Sequence, residues 1–243
     1  MTGDRVARVW TLVGLESGGA EVSLAHVCAA AVAALGVDGA GVTVMVSPTV
    51  RETAHSTDAV SADLEELQLT FGQGPCVDTF ANGPVLAEDL RAPEYAARWP
   101  AFTPAALGCG AGAVFALPLQ VGAIRLGVLD LYRVRPGGLS DFELADALVF
   151  ADTAGMLLLD AAAGISPGNA ELAWQRKYRA AGQAVVHQAT GMVLAQLGVS
   201  AEVAFARLRA YAYAHDRRLG AVARDLVDRR IRFTPEPAAD DPR

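Results

Sequence analysis

The chain has 243 residues, 52% of them hydrophobic, and a formal net charge of −7. That composition supplies one large or two smaller cores and excludes a disordered chain. No apolar run reaches the roughly 18 residues of a membrane span, no basic segment followed by an apolar stretch opens the chain, and three widely spaced cysteines without CxxC spacing exclude a zinc ribbon. The expectation is a cytoplasmic protein without membrane contact, in which Cys28, Cys76 and Cys109 are reduced and mostly buried.

Residues 1–19 read as a helical N-terminal extension. Glu21 to Leu35 is rich in Ala and Val and stops at Gly36, as a helix does. Gly41 to Ser47 alternates around Val42, Val44 and Val46, the period of a strand. Gly36, Gly39 and Gly41 read as turn glycines. Ser61 to Thr70 has a helical pattern. Gly112 to Gln120 and Ala123 to Arg133 are two apolar runs joined by Val121-Gly122, which predicts a hairpin. A capping box follows, with Ser140 as N-cap, Glu143 at N3 and Leu139 able to staple to Leu144; its helix runs to about Ala163. Helices around an antiparallel sheet predict an α+β domain over 20–163.

"GISPGNAE", residues 164–171, punctuates the chain as a linker. Beyond it, 172–233 is all helical. Ala170 to Leu197 is one long periodic segment, closed by a Gly198 C-cap and followed by a Ser200 N-cap. A second helix runs from about Ala201 to His215 with Phe205, Leu208 and Ala212 on its core face. A third runs from about Leu219 to Arg230, where Leu219, Val222, Ala223 and Leu226 recur at helical spacing. Residues 234–243 are a Pro- and acid-rich tail expected to be disordered.

Charge divides along the same boundary. Residues 1–166 carry 8 Arg and 19 acidic residues, a net of −11. Residues 167–233 carry 11 basic and 5 acidic residues, a net of +6. Such segregation points to two domains with different partners, the basic one facing phosphate.

The long helix carries two stripes. Trp174, Tyr178, Ala181, Val185, Gln188, Met192, Ala195 and Val199 alternate by four and three, the seam of a coiled coil in which one polar residue, Gln188, can set register. Val186, Thr190, Val193, Leu194 and Leu197 point elsewhere, toward helices two and three. Gly191 and His187 lie between, where a missing side chain offers a notch to a bulky ligand.

Residues 187–233 resemble the ANTAR domain of transcription antitermination regulators. The matching pieces are Gln188-Ala189, Gly191-Met192, Ala204-Phe205, Leu208-Arg209 with Ala212, and Leu219 with Val222-Ala223; Thr190 stands where many members carry Lys. The resemblance implies a dimeric three-helix domain that binds tandem-hairpin RNA in nascent transcripts and prevents termination. The RNA-binding candidates are Gln188, Ala189, Thr190, Gly191, Arg207, Arg209, Arg217 and Arg218. Arg209 is the preferred contact, one turn after Phe205 with its stem able to pack and its fork to point out.

Upstream, "FGQGPCVDTFANGPVLAEDLRAPEYAARWPAF", residues 71–102, and "ALPLQVGAIRLGVLDLYR", residues 116–133, resemble a GAF domain of the kind fused to ANTAR in actinobacterial proteins. The resemblance implies a sensor with a pocket between sheet and loops. Its candidate lining is Phe71, Cys76, Asp78, Asp89, Trp99 and Phe102, facing an unidentified small molecule or protein signal. The fold expected is thus a GAF-like α+β sensor domain followed by an all-α three-helix bundle with a coiled-coil-like first helix.

No catalytic residue is expected. GxSxG and Walker-type loops are missing from the sequence, and His26, His55, His187 and His215 show no HxH or HExxH spacing, so neither metal nor cofactor is expected. Two alternatives remain: a GAF-fold methionine sulfoxide reductase using Cys76 and Cys109, and a DNA-binding three-helix module. The second ranks below RNA because the third helix has its basic residues toward its C-terminal end.

Overall fold

The structure is a computed structural model describing residues 2–45, 51–122, 124–162 and 183–234. The chain divides into two compact units, Met1–Ala173 and Trp174–Arg243.

Among its described residues the first unit runs α1 (Thr2–Ser17), α2 (Leu24–Leu35), β1 (Gly39–Met45), β2 (Arg51–Ser56), α3 (Ala59–Phe71), α4 (Pro75–Asn82), β3 (Val85–Ala87), α5 (Pro93–Arg98), α6 (Phe102–Gly108), β4 (Ala113–Val121), β5 (Ile124–Arg133) and α7 (Asp141–Ala162). The strands form one antiparallel sheet in the order β2-β1-β5-β4-β3. Side chains alternate between its faces. Val42, Phe115, Leu117, Leu119, Leu129 and Leu131 point to the face covered by α1, α2 and α7. Met45, Val114, Ala116, Val128 and Tyr132 point to the face covered by α3, α4 and α6.

Local signals explain most boundaries. Ser23 begins α2, its backbone N–H donating to His26 Nδ1 at 3.2 Å, and Gly36 ends it in the left-handed region at φ 58°. Helix α3 starts two residues before the expected Ser61, because Asp58 accepts from the Ser61 N–H at 2.8 Å. The hairpin forms as predicted. So does the capping box: Ser140 N–H donates to Glu143 Oε2 at 2.7 Å, and Glu143 N–H to Ser140 Oγ at 3.3 Å. Gly39 and Gly41 are not turn residues; they lie within β1. Between Gly72 and Gly112 the elements are three to eight residues long, two of the helices opening on Pro75 and Pro93, which is too short for a period to register. Val46, Ser47, Ala123, Ala163 and the expected linker lie outside the described residues.

Helix α1 is part of the first unit rather than an appendage. Val9 and Val13 are fully buried, and the buried Asp146 of α7 pairs with Arg8 and, at 3.6 Å, with Arg5. Removing that carboxylate strands two arginines that also lie over the Phe142 ring. Asp146→Ala is expected to lower unfolding stability by about 1–3 kcal/mol, discounted from a fully buried pair because Arg8 is partly solvated. An unchanged urea midpoint contradicts this.

The second unit has α8 (Gln183–Leu197), α9 (Ala201–Ala214) and α10 (Leu219–Val227). Gly198, at φ 66°, closes α8 and Ser200 caps α9, accepting from Val203 N–H at 3.3 Å. The core is Val186, Ala189 and Val193 from α8, Ala204, Leu208 and Ala212 from α9, and Leu219, Val222, Ala223 and Leu226 from α10. Three expectations change. Phe205 is only half-buried, and Ala204 takes its place against the core. Leu194 is 37% exposed, because the inward stripe of α8 passes through Ala189 and Val193 instead. Helix α10 ends at Val227, where its apolar stripe runs out; Arg229 turns left-handed (φ 61°) and Arg230 N–H donates back to Asp225 O at 2.7 Å. The chain then returns to α8, with Phe233 N–H on Gln196 Oε1 at 2.9 Å. Trp174, Tyr178 and Ala181 of the expected seam, with Arg176, Lys177 and Arg179, lie outside the described residues.

Candidate functional site

In a well-packed core the notable residue is a buried charge. The α3/α4 face of the sheet holds three: Arg51 of β2, Glu65 of α3 and Asp130 of β5, with Thr43, Gln68 and Cys76 beside them, all nearly sealed from solvent. The backbone explains the gathering. Asp130 stands on the same face of β5 as Val128 and Tyr132. On α3, Ser61, Glu65 and Gln68 fall at i, i+4 and i+7, so the buried face of this helix is polar. Gly41 of β1 makes room, since a Cβ there would sit 2.6 Å from Glu65 Oε1.

Thr43 Oγ1 donates to Glu65 Oε2 at 2.5 Å. Gln68 Oε1 accepts the Cys76 N–H at 2.7 Å, and Arg51 donates to the Gln68 carbonyl. Glu65 Oε1 and both Asp130 oxygens receive no N–H donor. They face each other, with the Cys76 thiol against Asp130. Burial holds the Asp130 carboxyl well above the ordinary range, and the adjacent Glu65 adds to this; Arg51 opposes it more weakly. Burial likewise raises Glu65, against the Thr43 hydrogen bond, Asp130 and Arg51. Two carboxylates in contact away from water require a proton or a cation between them. The Cys76 thiol is also pushed up, by burial first and then by Asp130 and Glu65.

Glu65, Gln68 and Asp130 border a cavity of about 10 Å³, together with Gly41, Ser61, Leu64, Val114, Leu131 and Tyr132. That is the room of roughly one water molecule. The six residues expected to line a ligand pocket are placed differently. Cys76, Trp99 and Phe102 are fully buried in the packed core and Phe71 lies against it. Trp99 stacks on Tyr95 and meets Phe102 edge-on. Asp78 accepts the Trp99 indole N–H at 3.0 Å and pairs with Arg98 at 2.7 Å. Asp89 is half-buried, its carboxylate accepting from the Arg91 N–H and guanidinium. The aromatic residues are core because their rings fill the space a pocket needs. Only Cys76 of the six joins the polar cluster. As a nucleophile it is poorly set, since the thiolate is the reactive form and its surroundings oppose it; Cys109 closes α6 and is half-buried.

In the bundle, Gln188, Gly191 and Ala195 share the exposed face of α8 with His187 and Leu194. A Cβ at Gly191 would meet nothing within 4 Å. Thr190 is half-buried and its hydroxyl donates to Val186 O at 2.8 Å. Ala189 is fully buried, one position around the helix from the open face, so it packs helices rather than touching a ligand. Arg209 is half-buried with its guanidinium 5.8 Å from the Phe205 ring centre, and burial lowers its pKa. Arg207 and Arg218 are exposed. Arg217 is tied to Asp225 at 2.6 Å, which also holds Arg230 at 2.7 Å.

These units define a two-part chain: an α+β unit with a sealed polar cluster, then an arginine-rich helical bundle. A sequence profile of the GAF domain matches residues 20–158 and one of the ANTAR domain matches 175–227. The chain belongs to the GAF-domain family and carries an ANTAR domain behind it. Both are regulatory domains. Among solved structures it is similar to the GAF domain from Acinetobacter phosphoenolpyruvate-protein phosphotransferase, at 14% identity over 67% of this chain and 96% of the other, TM-score 0.49. It is similar to the GAF domain of the Coxiella burnetii phosphoenolpyruvate-protein phosphotransferase at 16%, 67%, 98% and 0.49. It is also similar to the type II free methionine-R-sulfoxide reductase from Thermoplasma acidophilum at 14%, 60%, 94% and 0.39. No curated protein sequence matches the chain. Among the described residues no single helix is long and apolar enough to cross a membrane.

Proposed function

We propose that this chain is a non-enzymatic transcription regulator whose ANTAR domain binds tandem-hairpin RNA in nascent transcripts and prevents termination, under control of a signal received by the GAF domain. The ANTAR match over the helices of the second unit carries the reading. The charge of +6 over residues 167–233 supports a phosphate-facing surface. Pairing of two chains would use Val185, Gln188, Met192, Ala195 and Val199; Gln188 and Ala195 are exposed and the other three half-buried, so this face of α8 is open to a partner helix.

Binding of full-length protein to a two-hairpin RNA, competed with duplex DNA, tests it. Affinity should fall with salt at roughly −0.7 per phosphate contact on a log–log plot. Arg209→Ala should weaken binding roughly tenfold with the bundle folded. Gly191→Leu should weaken it too, because its side chain enters open space where RNA would approach; unchanged affinity in a folded protein removes the notch. Preference for duplex DNA, or binding indifferent to salt, overturns the reading.

A further inference from the structure

From the buried cluster in the first unit we infer a binding site for one divalent transition-metal cation, ligated by Cys76 Sγ, Glu65 Oε1, an Asp130 carboxylate oxygen and Met45 Sδ. The inference is independent of whether the second unit binds RNA.

Four observations carry it. The ligand atoms of Glu65, Cys76 and Asp130 all lie within 4.8 Å of one another, in residues that are all buried. The Glu65 and Asp130 oxygens facing the centre receive no N–H donor and meet each other and the Cys76 thiol instead, unusual for buried carboxylates. The cavity that Glu65 and Asp130 border, about 10 Å³ and not lined by Cys76 or Met45, is too small for an organic ligand. Met45 Sδ lies 3.8 Å from Cys76 Sγ, the edge of about 3.8 Å between two sulfurs in a tetrahedron of 2.3 Å metal–sulfur bonds.

Charge fixes the valence. Two carboxylates and a thiolate against the Arg51 guanidinium leave two negative charges, which one divalent cation cancels. Without metal the same neutrality needs a protonated thiol and one proton on the carboxyl pair. Binding therefore exchanges two protons, released to solvent, for one cation, with no oxidation or reduction. A thiolate and a thioether select a transition metal over Mg²⁺ or Ca²⁺. The surroundings hold the ligands: Thr43 fixes Glu65 through Oε2, leaving Oε1 inward, and Gln68 holds the Cys76 backbone.

The test uses full-length protein stripped with a chelator and titrated with Co²⁺, without RNA. Expected are one equivalent bound, a thiolate-to-cobalt charge-transfer band with intense tetrahedral d–d bands, and displacement by Zn²⁺. Cys76→Ser should abolish the charge-transfer band; Glu65→Gln and Asp130→Asn should each lower Co²⁺ affinity roughly tenfold or more. Cys109→Ser and Asp89→Asn should leave both unchanged. No stoichiometric uptake, or a band that survives Cys76→Ser, overturns the site. Should Cys76→Ser fail to fold, X-ray absorption of the Zn²⁺-loaded wild type decides: two sulfur scatterers are expected, and an all-oxygen or nitrogen shell overturns the assignment.

Discussion

Gly127→Ala is expected to cost about 3 kcal/mol or more, a large share of the roughly 5–15 kcal/mol that stabilises a domain. The added Cβ would lie 2.0 Å from Thr43 O and 3.0 Å from Val44 Cα, both backbone atoms of β1. Neither strand can retreat. β5 is bonded to β1 on one side and β4 on the other, and β1 is itself held by β2. Strain there also reaches the polar cluster, since Thr43 orients Glu65 and Asp130 stands three residues along β5. Gly191→Ala is the contrast: it meets open space in α8 and should stabilise the second unit by up to about 1 kcal/mol. Equal urea midpoints for Gly127→Ala and wild type would refute the close approach of β1 and β5.

The second large effect is on pH dependence. With no cation bound, burial raises the pKa of both Glu65 and Asp130; Glu65 raises Asp130 further, whereas the hydrogen bonds of Thr43 and Asp130 hold Glu65 back. Above the range where ordinary carboxyls ionise, about pH 4, the native state holds a proton that the unfolded chain has released. Their contribution is therefore fully present below that range and lost as pH rises toward the native pKa. The expected slope is a fall of about 1.4 kcal/mol per pH unit for one retained proton. Asp130→Asn should flatten it, since one carboxylate then faces Arg51 with no partner acid. Glu143 works in the opposite sense: the Ser140 N–H and hydroxyl, with Arg133, hold its carboxyl low, so its contribution is lost only as pH falls through the acid range. Urea midpoints across about pH 5 to pH 8 that show no slope in the wild type would contradict the shared proton.

What sequence made legible was local. The β4–β5 hairpin, the Ser140–Glu143 box and the Leu219–Leu226 stripe each depend on residues a few positions apart, and each is where its spacing placed it. Aromatic pocket candidates misled because Trp99 and Phe102 look the same whether they line a cavity or fill one. On α8, two neighbouring stripes differ by one residue, and Ala189 fell to the core side. The polar cluster was invisible for a different reason: its members come from β1, β2, α3, α4 and β5, and no spacing joins residues 43, 51, 65, 76 and 130. Two signals were present all the same. Asp130 interrupts the apolar run "GVLDLY", and Ser61, Glu65 and Gln68 put three polar groups on one side of a helix whose neighbours Leu64 and Leu67 also pack inward.

Strands β1 and β5 lie side by side, Val44 opposite Gly127 and Gly39 opposite Tyr132, although more than eighty residues separate each pair in the chain. During synthesis the first strand therefore leaves the ribosome long before its inner neighbour exists. Closing so long a loop is slow compared with forming helices, so α3 and its acids wait in water, ionised and hydrated. Only when β5 inserts does Asp130 meet Glu65, and at that step the chain must take up a proton or a cation to finish. The pH at the site of synthesis thereby bears on how much of the nascent first unit reaches its folded state.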